Sequence, residues 1–288
     1  MRELPRLTVA VLASALLLAG CQPSGKESLV RGDAALRAGQ TEDAIRWLER
    51  AAQLLPTEAE AWNRLGLAYH HGGRPADAEK AYQRALRFNR DLFDVHFNLG
   101  ELHLEQGRAR EAEAAYRTFI SGSQANAQSA VAWRGLGMAF QAQRQHPNAE
   151  LALVNATKLD PADADAWNAL GASRFHLRRH RDAHAAFVQA AKLDPNLAAA
   201  HLNLAVVLQQ HLSNPREALV HYQTFVSLSP NAPEAASARA AIRDLSIRLG
   251  IAMPSPSPAP VPATSAPSPV LLDRKSTRLN SSHANISY

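Results

Sequence analysis

Histidine is the residue whose number and spacing most invite a chemical reading, with twelve in 288 residues. His176, His180 and His184 recur every four residues, a spacing that would aim three imidazoles at one metal ion if a single helix carried them. The frame set out below breaks that helix. It puts His176 late in one helix, His180 in the turn and His184 at the start of the next, so no metal site is expected. His70 and His71 precede Gly72-Gly73 and read as a helix end. Arg178-Arg179-His180-Arg181 reads as a solvated basic turn. Gly135-Leu136-Gly137 is a fragment of a glycine motif, but its place in that frame assigns it to packing. The chain has no HExxH, no GxSxG, no phosphate loop and no EF-hand loop. No enzyme, metal or cofactor is therefore expected.

Composition limits the partners. Of the formal charge of +5, the first twenty residues carry +1 and the last sixteen carry +2. What remains between them is too small to imply an electrostatic partner, and basic residues do not alternate with aromatics as a single-strand binder needs. We expect no nucleic acid as a partner. Abundant alanine and leucine, with aromatics at 6%, favour helices packed through small side chains.

The chain's one cysteine, Cys21, cannot form an internal disulfide. Met1 to Arg6 is a short basic start, Leu7 to Leu18 is apolar apart from Thr8 and Ser14, and Ala19 and Gly20 are small. That layout is a secretory signal, too short to remain as a membrane span. Leu18-Ala19-Gly20-Cys21 resembles the lipobox of bacterial lipoproteins. The resemblance implies a signal peptide over residues 1–20, cleavage before Cys21, and acylation of Cys21 at the thiol and new amino terminus. Each buried CH₂ of such chains contributes about 0.8 kcal/mol, so three chains would hold the protein to a membrane. Gln22 after the cysteine implies sorting to the outer membrane, facing the periplasm.

Beyond the anchor the sequence repeats. Ala61-Trp62-Asn63-Arg64-Leu65-Gly66, Ala132-Trp133-Arg134-Gly135-Leu136-Gly137 and Ala166-Trp167-Asn168-Ala169-Leu170-Gly171 share one frame, and Val95-His96-Phe97-Asn98-Leu99-Gly100 joins it. Trp62 to His96 and Trp133 to Trp167 are steps of 34, whereas His96 to Trp133 is 37, which places about three inserted residues near Ser121 to Ser129. The pattern is similar to that of the tetratricopeptide repeat: large at position 4, Leu at 7, small at 8, aromatic at 11, Ala at 20, aromatic at 24, Ala at 27 and Pro at 32. The second repeat gives Trp62, Leu65, Gly66, Tyr69, Ala78, Tyr82 and Ala85, departing at Arg90. The fourth gives Trp133, Leu136, Gly137, Phe140, Ala149, Leu153, Ala156 and Pro161. The fifth departs at Arg174, and the third has His96, His103 and Phe119 at signature sites. The first and sixth repeats are looser, as exposed ends of a stack are.

The resemblance implies an all-α fold, a right-handed superhelical solenoid of about six helix pairs, with a C-terminal capping helix from Pro233 to about Leu249 over residues 21–249. Positions 4, 7, 8 and 11 make one stripe on helix A, and 20, 24 and 27 make one on helix B. Gly39, Gly73 and Gly107 fall between A and B, where glycine adopts positive φ at little cost. Pro56, Pro161, Pro195 and Pro230 end helix B. In this family, positions 2, 5, 9 and 12 of helix A line a concave groove. Here the candidates are Asn63, Leu67 and His70, then Phe97, Glu101 and Leu104, then Arg134 and Met138, then Asn168 and Phe175, and Leu202. Large apolar groups among amides and single charges suit an extended peptide or a partner helix. Position 6 offers only Asn98 and Asn203, so no carboxylate clamp is expected.

Residues 250–272 are rich in proline, serine and alanine and read as a disordered linker. Asp273 to His283 can be encoded by a common sequencing-library adapter, so residues 273–288 are expected not to be biological. Two functional readings follow. One is a lipid-anchored scaffold that binds a protein or peptide in the bacterial cell envelope. The other is the accessory repeat region of a larger chain, an enzyme included, that continues past Leu272.

Overall fold

The computed structural model describes residues 23–251. The expected signal peptide at residues 1–20, Cys21, the proline-rich stretch beyond residue 251 and the final sixteen residues lie outside that span. Fourteen helices and no strand occur among the described residues. They pair in chain order as α1 (Gly25–Arg37) with α2 (Thr41–Leu54), α3 (Ala59–His71) with α4 (Pro75–Phe88), and α5 (Phe93–Glu105) followed by α6 (Ala109–Gly122). A single turn, α7 (Gln124–Ala127), precedes α8 (Ala130–Ala142) with α9 (His146–Leu159), α10 (Ala164–His176) with α11 (His180–Leu193), and α12 (Ala198–Gln210) with α13 (Pro215–Leu228). The last helix is α14 (Ala235–Leu249). The chain divides into two compact units, one ending at Leu102 and the other beginning at His103.

Small residues set how close the helices come. The alanines at position 20 of all six repeats, Ala44 through Ala218, are fully buried, as are Ala51, Ala85, Ala156 and Ala190 at position 27. The side chains at position 24, among them Leu48, Tyr82, Leu153 and Phe187, are fully buried beside them. Position 8 is the tightest point. A Cβ built on Gly66 would lie 2.5 Å from the Tyr82 ring, one on Gly171 2.5 Å from the Phe187 ring, and one on Gly137 2.5 Å from Leu153. Gly135 meets the Tyr116 ring in the same way, so Gly135-Leu136-Gly137 serves packing, as the frame requires.

The prolines stop helix B as expected. Pro56, Pro161, Pro195 and Pro230 each fall two residues past the end of α2, α9, α11 and α13. They also bind the next repeat. The position-4 ring nitrogen donates to the carbonyl six residues upstream: Trp62 to Pro56 at 2.9 Å, Trp167 to Pro161 at 3.0 Å, and His201 to Pro195 at 3.0 Å. Trp133 donates to Ala127 at 2.9 Å. The inserted residues therefore fold into α7, capped by the Ser123 hydroxyl accepting from the Asn126 amide, and α7 ends where an acceptor is needed.

The A–B turns depart from the expected glycines in an informative way. Gly39, Gly73 and Gly107 have φ of 70°, 66° and 70°, and the corresponding residues of the last three repeats are Arg144, Arg178 and Ser213 at 58°, 61° and 51°. The turn geometry is kept although its residue type is not, at a steric cost to each L residue. In α14 the apolar face is as read: Ala235, Ala238 and Leu245 are buried with Ile242 and Leu249 beside them. Gly250, at φ 64°, closes the helix, and Ile251 N–H reaches Ser246 C=O at 2.9 Å.

Histidines take packing positions. His103 and His201 are buried and His96 is half-buried. With its Nε2–H given to Pro195, His201 turns Nδ1 to His221 Nδ1 at 3.0 Å, where it can only accept. His180 stacks on His211 at 3.7 Å, and His146 on His176 at 4.4 Å. His180 is the first residue of α11 rather than part of the turn, and it shares that helix with His184. His176 is on α10, so the three never present one face. Burial lowers the pKa of His146, His176, His180 and His221, and neighbouring positive charge adds to it: Arg144 at His146, His146 and Arg144 at His176, His211 and Arg178 at His180, and His201 at His221.

Two outcomes follow from these turns and rings. Ser213→Gly should stabilise the chain by about 0.5–1 kcal/mol, and Gly73→Ala should destabilise it by about 1 kcal/mol, both read from urea midpoints. A histidine whose pKa is lower in the folded chain makes the unfolded chain bind more protons below the free value of about 6.5. The urea midpoint should therefore fall as pH drops from 7 toward 5, and fall less steeply in His221→Gln.

Candidate functional site

The A helices present the candidate face, and each compact unit carries its own part. In the first unit, Leu67 and His70 on α3 and Phe97 and Glu101 on α5 are half-buried. Asn63 does not stand open beside them. It is 4% exposed, and its carbonyl accepts from Asn98 Nδ2 at 3.0 Å.

The second unit repeats that bond. Asn203 Nδ2 donates to Asn168 Oδ1 at 2.9 Å, and Asn168 is fully buried. The expectation that Asn63 and Asn168 line an open groove is therefore corrected. A position-5 carboxamide is covered because it ties its helix to position 6 of the next A helix. Asn168 Nδ2 is left without a hydrogen-bond partner among the described residues. Leu202 is also corrected: at 1% exposed it belongs to the apolar cluster that includes Ala172, Phe187 and Leu208. Leu104 is buried near the end of α5.

Three candidates of the second unit keep part of their surface: Arg134, Met138 and Phe175. Arg134 on α8 reaches Asp163, the N-cap of α10, at 3.0 Å, and Asp165 at 3.6 Å. Asp163 is anchored in turn, because its carboxylate accepts from Ala166 N–H at 2.9 Å and so occupies the positive end of α10. Gln141 on α8 donates to Ala169 C=O at 2.7 Å and Ser173 Oγ at 2.9 Å on α10. Phe175 meets His180 and His211 edge-on, each at 5.3 Å. The polar side chains of this face are thus engaged with the neighbouring repeat, which fixes the orientation of the A helices. Met138 and Phe175 remain as half-exposed apolar groups. Such a surface can hold extended chain or a helix by apolar contact; among the described residues no histidine, cysteine or carboxylate cluster of three fits a metal.

The cross-repeat pairs were missed by reading one repeat position at a time. Asn63 to Asn98 and Asn168 to Asn203 are both separations of 35, one repeat plus one residue, and that offset is the visible signal. Glu150 is a similar case. It accepts from Arg174 Nε at 3.0 Å and from Arg179 Nη1 at 2.7 Å, which explains how an arginine stands at the aromatic position 11 of the fifth repeat.

Comparison with known proteins agrees with this architecture. Residues 29–93 match the model of the tetratricopeptide repeat, and residues 89–211 match that of the cilia and flagella-associated protein 70 C-terminal domain. The chain is 30% identical over 152 residues to human cilia- and flagella-associated protein 70, covering 52% of this chain and 13% of that one. It is 34% identical over 91 residues to human tetratricopeptide repeat protein 7B, covering 32% of this chain and 11% of that one. The chain thus spans a small part of these relatives' length. Among solved structures, PilW, a type IV pilus biogenesis factor, matches with TM-score 0.65 at 18% identity over 74% of this chain and 97% of that one. Pseudomonas aeruginosa pilF matches with TM-score 0.64 at 19% identity over 75% and 96%. At such identities the likeness is one of fold. The family matches, the period and the paired-helix packing together make the helix pairs of this chain tetratricopeptide repeats.

Proposed function

We propose that this chain is a non-catalytic scaffold, lipid-anchored through Cys21 in the bacterial cell envelope, that binds an extended peptide or a partner helix on its A-helix faces. The observation that carries the binding reading is the arrangement in the second unit. Arg134 and Gln141 are held by the next repeat, while Met138 on α8 and Phe175 on α10 stay half-exposed. A surface whose polar groups are already oriented loses little entropy when a partner docks. A partner gains chiefly by covering the two apolar side chains. YrrB, a tetratricopeptide-repeat protein with an unusual peptide-binding site, has the same fold at TM-score 0.56 and 17% identity.

The anchoring reading rests on Leu18-Ala19-Gly20-Cys21 after a basic and apolar leader. The outer membrane, periplasmic side, is its proposed location, from Gln22. No helix among the described residues is long and apolar enough to cross a membrane, so attachment would fall to the acyl chains.

Met138→Ala with Phe175→Ala should reduce recovery of any specific partner from envelope extract by at least about tenfold while the circular dichroism stays unchanged. Equal recovery would remove the A-helix face as the binding site. Metabolic labelling with palmitate in a diderm host should mark the wild-type chain and leave Cys21→Ser unlabelled. An unlabelled wild-type chain would exclude the anchor.

A further inference from the structure

The B-helix side of the repeats carries a feature that the A-helix face does not explain. Repeats 2 and 4 each have a pocket, and the two share nine lining repeat positions; that of repeat 4 also extends onto Arg117, Ile120 and Ser121 of α6. In both, positions 4, 7 and 11 of helix A make the floor: Trp62, Leu65 and Tyr69 in one, and Trp133, Leu136 and Phe140 in the other. The walls differ. Repeat 2 closes over its own floor, because the Arg84 guanidinium lies 4.5 Å above the Trp62 ring. Lys80 and Gln83 line the same wall, and the space left is about 360 Å³.

In repeat 4 those three positions are Leu151, Val154 and Asn155. Asparagine is too short to cover an indole as arginine does, and the pocket widens to about 570 Å³, within the range of roughly 300–1,000 Å³ typical of ligand sites. Leu151 at its edge is 68% exposed. A partly exposed apolar wall beside Trp133 is what a bulky side chain of a partner would complete. The rim adds a sign. Arg117, which pairs with Glu113 and lies 5.2 Å from the Phe140 ring, lines it from α6, and Lys158 from α9. Asn148 and Asn155 supply amide donors, and no carboxylate is among the lining residues.

We propose that the B-helix-side pocket of repeat 4 is a second docking site, one that takes an aromatic side chain from an acidic segment of a partner protein. The aromatic ring lies on Trp133 where repeat 2 places its own Arg84. A carboxylate beside that ring meets Lys158 and Arg117. The site is independent of Met138 and Phe175.

The full chain, labelled with ¹⁵N at its tryptophan indoles, is titrated with the peptide acetyl-Glu-Phe-Asp-amide. The Trp133 resonance should move and saturate, while that of Trp62 should stay in place, because Arg84 already covers it. Leu151→Lys with Asn155→Arg installs the residue types of repeat 2 and should weaken the response at least about tenfold. An unchanged Trp62 resonance in that variant shows that the fold is intact. Acetyl-Lys-Phe-Lys-amide should bind at least about tenfold more weakly than the acidic peptide. The proposal is overturned if Trp133 does not respond, if Trp62 responds equally, if the basic peptide binds as well, or if the double variant binds like wild type. It is also overturned if sedimentation shows a dimer that the double variant dissociates, since a second copy is then the occupant. Binding that appears only after Val270, Leu271 and Leu272 are replaced by serine overturns it as well, in favour of the chain's own segment.

Discussion

Repeats 1, 2, 4 and 5 of this protein depend on one contact, the approach of a helix A backbone to the bulky position-24 side chain of its own helix B. At Gly66, Gly137 and Gly171 the partner side chain occupies the volume where a Cβ would be. Two helices so close bury alanine faces completely, and the dispersion and transfer terms of those small faces hold the pair together. A larger residue at position 8 would push helix B outward, and the error would pass to the next repeat, because stacked units contact only their neighbours. Flat alanine surfaces can slide, so close approach alone does not fix register. The position-4 ring bond to the upstream carbonyl supplies that, with Trp62, Trp133, Trp167 and His201 as four versions of one latch.

The fold was readable because its determinants are steric and periodic. Residue size at positions 8, 20, 24 and 27 repeats with the period, and the prolines fall two residues beyond their helices. The face of helix A was less readable, for a physical reason. Whether a polar side chain on a stripe is open or covered depends on a partner one repeat away, and Asn63 and Asn168 are covered by asparagines at a different repeat position. Leu202 shows the same limit for apolar groups: position 9 or 5 of a helix is a surface only if nothing packs on it. Histidine at position 201 was legible as a packing residue, but its choice of bonds was not. Only the structure shows that it keeps the tryptophan's bond and spends the other nitrogen on His221.

The two faces of the repeats carry different kinds of order. On helix A, polar residues join neighbouring repeats and leave a few apolar groups at the surface. On the B-helix side, nine shared positions line a pocket that Arg84 covers in repeat 2 and that extends onto α6 in repeat 4, where the wall residues differ. Repetition makes such differences interpretable, since one repeat serves as the internal reference for another.

The short helix α7 bears on how this chain tolerates change in length. Three additional residues enter between repeats 3 and 4, yet Trp133 still finds an acceptor at Ala127, six positions back. What the seam measures is the distance from the ring to that carbonyl, counted backward from the start of helix A. Material added ahead of the acceptor escapes the measurement, and material added after it would unlatch the joint. The junctions between repeats thus have a permissive side and a forbidden side, and chain growth by insertion is channelled to the tail of each B helix.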